Sequence, residues 1–249
     1  MRGPFTLALA GLIVAGIAAS QLWSAPGPRI STAQTEGESR VIGQSVDGRP
    51  IVAERIGDPA ATQVAVVVGV IHGDEPAGLK VTAALRRMEE DLGGVQVWII
   101  DALNPDGLAA HARKNAHAVD LNRNFAYRWR GGLAISNGYY PGPSPASEPE
   151  TRAAMDFLGE VRPDFSVWYH QPWGAVLTCR GRPKLAARYA KLVKLRTSCR
   201  GKHLRGTAIS WEKAELGGTA FVVEFPGGGV SQRTARRHAR AVATIAGDE

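Results

Sequence analysis

Four ionisable residues stand where apolar side chains are expected. His72 follows the run VAVVVGVI and precedes Glu75 by three residues; His170 ends FSVWY, and Glu224 interrupts AFVVEF. An imidazole or carboxylate at such a place costs free energy to bury unless it meets a partner. Two imidazoles and one carboxylate are the protein ligand set of several hydrolytic zinc sites, which leave a fourth position for water. His72, Glu75 and His170 fit that set, whereas Asp74, beside Glu75, is not assigned as a ligand. Glu224 would then be the base that takes a proton from the activated water. The competing reading is structural: His72 caps a strand and Glu224 pairs with a surface arginine. Recurrence at three apolar runs favours a shared site.

The segment NPDGLAAHARKNAHAVDLNRNF, Asn104–Phe125, carries groups that a substrate would need. It holds Arg113 and Arg123, and a guanidinium aimed at an oxygen that gains negative charge lowers the barrier. Asn122 next to Arg123 makes a fork suited to a substrate carboxylate. Asp120 could hold the second nitrogen of a metal-bound histidine. Read alone, DLNRNF is a polar loop.

These residues need elements to position them. RPIVAERIG reads as an early strand after a DG turn, and Val64–Ile71, Val95–Asp101, Phe165–His170 and Ala220–Phe225 are short apolar runs of strand type. Gly78–Leu92 has helical spacing, with Val81, Ala84, Leu85 and Met88 on one face. Ser147 and Glu150 have capping-box spacing around Pro149, so a helix should begin there and run through Phe157. Strands alternating with helices predict an α/β fold: a mixed, largely parallel sheet with both faces covered. Ligands bind beyond the carboxyl ends of such strands, so three strands would deliver His72, His170 and Glu224 to one rim. Gly73 should let the chain turn sharply enough for Glu75 to reach the same ion.

The ends and the charge bear on location. Arg2 followed by the uncharged FTLALAGLIVAGIAAS has the layout of a secretory signal, with small residues at Ala18 and Ser20; an uncleaved anchor is the other reading. Either predicts export, to the periplasm or cell envelope or into the medium, with membrane contact through this segment if it is retained. Residues 1–20 are thus a signal or anchor, 21–38 a linker rich in Ser, Pro, Gly and Thr, and 39–249 one domain. Two cysteines, Cys179 and Cys199, flank KLAARYAKLVKL, and export would allow them to form a disulfide. Such a loop would stabilise the fold by about 3 kcal/mol. The formal charge is +7, with much of the excess in Arg180–Arg205 and in RTARRHAR. Such a surface attracts anions, wall polymers or lipid headgroups in an envelope, unless these runs are simply solvated helix faces. Nothing resembles a nucleic-acid reader.

HGDE at His72–Glu75, NPDG at Asn104–Gly107, RKNAHAVDLNRNF at Arg113–Phe125, SEPET at Ser147–Thr151, the late His170 and the terminal VVEF occur in the order found in zinc carboxypeptidases of the carboxypeptidase A type, which this chain resembles from about Arg49 to Gly228. The resemblance implies a mixed sheet of about eight strands between helices, and one zinc ion held by His72, Glu75 and His170. It further implies Glu224 as general base, Arg113 as oxyanion stabiliser, Asn122 and Arg123 as carboxylate clamp and Asp120 as partner of His72. The family's digestive members place a mobile tyrosine some two dozen residues before the catalytic glutamate. Between Cys199 and Glu224 there is none here, and neither His203 nor Trp211 can be given that role. The short domain resembles compact bacterial murein peptide amidases, which cut between γ-D-glutamate and diaminopimelate. The expectation is a monomeric exported hydrolase acting on peptides, wall peptides among them. The alternatives are a deacylase resembling succinylglutamate desuccinylase or aspartoacylase, or an inactive envelope binding protein.

Overall fold

A computed structural model describes residues 1, 3, 38–178, 183–201 and 203–247 of the chain. Its contacts divide the chain into Met1–Thr35 and Glu36–Glu249. The signal or anchor at residues 1–20 and nearly all of the linker fall outside the described residues. No helix among those described is long and apolar enough to cross a membrane.

Eight strands form one sheet: β1 (Ser39–Gln44), β2 (Pro50–Gly57), β3 (Gln63–Val70), β4 (Val95–Ala102), β5 (Phe165–His170), β6 (Trp173–Leu177), β7 (Arg196–Ser198) and β8 (Thr219–Pro226). Their spatial order is β1-β2-β4-β3-β5-β8-β6-β7. The central four, β4-β3-β5-β8, run parallel, and so do β6 and β7; the remaining pairings are antiparallel. The sheet is therefore mixed, as expected. β3 is buried on both faces because Ala65 and Val67 enter one core while Val66 and Val68 enter the other. This explains why its sequence is apolar throughout rather than alternating.

Among the described residues there are six α-helices: α1 (Gly78–Arg86), α2 (Pro105–Ala110), α3 (Pro149–Val161), α4 (Pro183–Val193), α5 (Ala208–Glu215) and α6 (Gln232–Ala246). α1, α4 and α6 bury Val81, Leu85, Tyr189, Ala239 and Val242 on one face. α3 and α5, with Leu121 and Phe125, cover the other.

Two local expectations are corrected. The helix expected over Gly78–Leu92 stops at Arg86, and Glu89–Asp91 form a separate 3-10 turn. Met88, at φ −117° and ψ 16°, breaks the helix, and the new direction lets Leu92 reach the core. The capping box at Ser147 and Glu150 does not form: the N-cap of α3 is Glu148, without a side-chain cap. Glu150 instead accepts from the Val46 amide and Asn115, while the Ser147 hydroxyl donates to Glu148. Tertiary partners outcompete the local cap at this helix start. Cys179 lies outside the described residues, and Cys199 is exposed and unpaired among them; their pairing remains an expectation from the sequence.

Candidate metal centre and its cavity

The parallel strands β3, β5 and β8 end on one side of the sheet. Ser166, Trp168 and His170 alternate onto the α5 face of β5, and Ala220, Val222 and Glu224 onto the same face of β8. His170 and Glu224 are register partners, so an imidazole and a carboxylate sit side by side where the pattern calls for two apolar residues. His72 lies two residues beyond β3, and the Glu75 amide donates to its carbonyl at 3.0 Å, closing a turn that points both side chains the same way. Gly73 is required for a different reason than expected. It lacks a left-handed φ, but a Cβ there would strike the backbone of Gly107 and Leu108, so the glycine of HGDE lets its loop approach the start of α2.

Three donor atoms meet in this turn. His170 Nδ1 is 3.1 Å from His72 Nδ1 and 2.8 Å from Glu75 Oε2, which is 3.1 Å from His72 Nδ1. Bonds of about 2.0–2.2 Å at tetrahedral angles set ligand atoms about 3.3–3.6 Å apart, close to these edges. All three side chains are buried, and among the described residues no other group of histidine, cysteine and carboxylate could hold an ion. The donor set and spacing fit zinc.

Surrounding groups fix these donors. Asp120, fully buried, accepts from His72 Nε2 at 3.1 Å through one oxygen and from Arg113 Nε and Nη2 through the other. Arg113 Nη1 donates to the second oxygen of Glu75 at 2.9 Å. Arg113 therefore braces two carboxylates and also faces the cavity, leaving its remaining hydrogens for a ligand. Burial opposes charge on Glu75 and Asp120, yet the neighbouring histidines hold both well below the usual carboxylate range, aided at Asp120 by Arg123 and Arg113. Burial would lower His72, but Asp120 and Glu75 outweigh it and raise it; burial prevails at His170 and lowers it. Burial, reinforced by repulsion from Glu75, pushes Glu224 up to about 7, and the Trp173 amide, His72 and Arg113 offset this only in part.

DLNRNF divides its work by position. Leu121 and Phe125 enter the core. Asn124 ties down the carbonyls of Pro141 and Ser144, and the Ser147 hydroxyl. Asn122 Oδ1 accepts from the Ala208 amide at the start of α5, while its Nδ2 lies 3.4 Å from His170 Nε2. Only the amide nitrogen of Asn122 is thus left for a ligand. Arg123 lines the cavity, with Nη1 donating to the Asn122 carbonyl; burial and the nearby Arg113 lower its pKa. SEPET is a scaffold here: Glu148 and Glu150 both accept from Asn115, and Glu148 also contacts His117.

A cavity of about 890 Å³ opens from this centre. Sequence reasoning missed several of its walls. Tyr139 lies 5.3 Å from the guanidinium carbons of both Arg113 and Arg123, within the range of cation–π attraction. Its segment, SNGYYPGP, carries turn signals but nothing that points to a site. Trp173, Ser210, Lys213 and Val222 also line it, with the Trp173 amide 3.4 Å from Glu224 Oε2. Trp211 is buried against Phe125 and does not line the cavity, nor does His203.

A mixed α/β sheet with a buried His–Glu–His cluster at the carboxyl ends of its parallel strands defines a metal-dependent hydrolase architecture. The family model for zinc carboxypeptidases matches residues 35–178, and the chain belongs to that family. Murein peptide amidase A of Escherichia coli K12 is 31% identical over 147 residues, 54% of this chain and 59% of that protein. Carboxypeptidase SOL1 of Arabidopsis thaliana is 30% identical over 146 residues, 52% of this chain and 28% of that protein. The matches thus span less than two thirds of these relatives. The crystal structure of murein-tripeptide amidase from Escherichia coli O157 superimposes with a TM-score of 0.69 at 26% identity, covering 84% of this chain and 91% of that one. Carboxypeptidase A from Helicoverpa armigera gives 0.74 at 18% identity, covering 85% and 69%, a likeness of fold.

Proposed function

We propose that this chain is an exported zinc-dependent peptidase or amidase that hydrolyses an amide bond next to a free carboxylate, with cell-wall peptides as substrate. The observation that carries the reading is the triangle of His72, Glu75 and His170 beside Glu224, a carboxylate that burial pushes up to about 7. The similarity to murein peptide amidases and the signal-like first residues support the wall substrate and export. Residues 39–249 form the catalytic domain in this reading, and the chain acts as a monomer.

His72, Glu75 and His170 would hold the ion, oriented by Asp120 and Arg113. Bound there, zinc supplies a Lewis acid for the scissile carbonyl and makes water a nucleophile at neutral pH. Glu224 takes the proton of the attacking water and later passes it to the departing amine. A carboxyl group raised toward neutrality suits both transfers. Arg113 directs its remaining N–H groups at the carbonyl oxygen as negative charge develops. Arg123 and the Asn122 amide nitrogen hold the substrate carboxylate on the leaving side.

The test pairs zinc-loaded wild type with Glu224→Gln on muropeptides, C-terminal dipeptides and N-acyl amino acids, with products identified by mass. Wild type should release a diamino acid or short peptide from muropeptides. Glu224→Gln should bind zinc normally and turn over about 10²–10⁴-fold more slowly. Wild-type turnover in the variant would refute the assignment of the base, and cleavage of N-acyl amino acids alone would point to a deacylase.

A further inference from the structure

The helical parts of the two basic runs, α4 and α6, lie some forty residues apart in the sequence, yet the fold brings them side by side. α4 and α6 pack against each other on the same side of the sheet. Each buries its apolar residues and exposes cations: Lys184 and Lys191 on α4, and Arg233, Arg236 and Arg240 on α6. Neither helix contains an aspartate or glutamate. The acidic turn Glu89–Asp91 stands at the other end of this layer, beside β2. Asp248 and Glu249 follow α6 in sequence, outside the described residues. An ordinary solvated helix mixes both signs of charge, so the exposed cations of these two adjacent helices present a surface of one sign, complementary to an anionic one.

We propose that the α4–α6 face docks on a bilayer containing anionic lipids. Two observations favour a lipid surface over a soluble polyanion. Leu192 projects among the lysines of α4, 38% exposed, so the face offers an apolar side chain as well as charge. The sequence also carries the uncharged apolar stretch Phe5–Ser20; stable attachment to membranes commonly combines one apolar signal with one basic patch. No residue of α4 or α6 lines the cavity, so docking leaves substrate access and hydrolysis separate from the contact.

The test uses the full chain with two kinds of vesicle, phosphatidylcholine alone and phosphatidylcholine with phosphatidylglycerol. Any contribution of the apolar stretch to binding is common to both, so the readout is the preference for the anionic vesicle. Wild type should prefer it strongly at low salt and lose the preference near 1 M salt, where screening is short-ranged. Lys191→Gln/Arg236→Gln/Arg240→Gln should weaken anionic-vesicle binding on the order of a hundredfold, from about fivefold for each cation. Circular dichroism and activity on a soluble peptide should match wild type. A control that neutralises Arg130, Arg152 and Arg205, equal in net charge but elsewhere on the surface, should keep the preference. Three results would overturn the proposal: no preference in wild type, equal loss in the control, or binding to soluble polyphosphate without preference between the vesicles. None of these readouts depends on which substrate the cavity accepts.

Discussion

At the scale of single residues, the chemistry rests on which atoms face each other. His72 and His170 are unremarkable alone, but their Nδ1 atoms stand 3.1 Å apart with a Glu75 oxygen against both. Such an arrangement without a bound proton or cation would be repulsive, and this is the physical reason for reading it as a metal centre. Asp120 acts at one remove, fixing the His72 ring through Nε2. Asp120→Asn is expected to lower zinc affinity about 10–100-fold, measured by competition with a chromogenic chelator. An unchanged affinity would mean that the ring is held by packing alone. The residues that cluster at this rim, His72, Glu75 and His170 with Glu224 and Asp120 beside them, were legible in the sequence. Tyr139 was not, because nothing local distinguishes a tyrosine in a turn-rich loop that folds back over two arginines.

Elements decide how closely these atoms approach. β3, β5 and β8 announce themselves as apolar runs, and each delivers its polar residue to the same edge. Where local signals competed with tertiary contacts, the contacts won: Glu150 serves Val46 and Asn115 instead of capping α3. The contact between Gly73 and Gly107 likewise joins two loops that no spacing rule relates. Gly73→Ala should therefore force the loops apart, costing about 1–3 kcal/mol and weakening zinc binding together with stability. Gly93→Ala serves as control, because a Cβ there meets nothing within 4 Å. Equal melting temperatures for the two variants would contradict the contact.

For the whole molecule, stability depends on groups far from the reaction. His238 on α6 is buried against Phe225 and joins Tyr189 of α4 at 2.9 Å, and Tyr189 in turn meets Tyr169 of β5 at 2.8 Å. Burial, with a smaller contribution from Arg237, pushes His238 down to about 3. Its unfolded value is near 6.5, so the unfolded chain binds a proton that the native protein refuses. The stabilisation is complete above about pH 6.5 and is lost as pH falls toward 3, up to about 5 kcal/mol. Denaturant midpoints should fall across that window, and His238→Gln, which can still accept from Tyr189, should flatten the decline; an unaltered slope would remove His238 as its cause. The sequence by itself determined the strand and helix alternation, the residues that cluster at the rim and the family, because apolar periodicity and chemically costly residues are local properties. Only the tertiary structure decided that Arg113 braces Glu75 and Asp120, that Tyr139 covers both arginines, and that α4 and α6 lie side by side. Those facts depend on distances between segments remote along the chain, which are set by how the sheet and its helices pack.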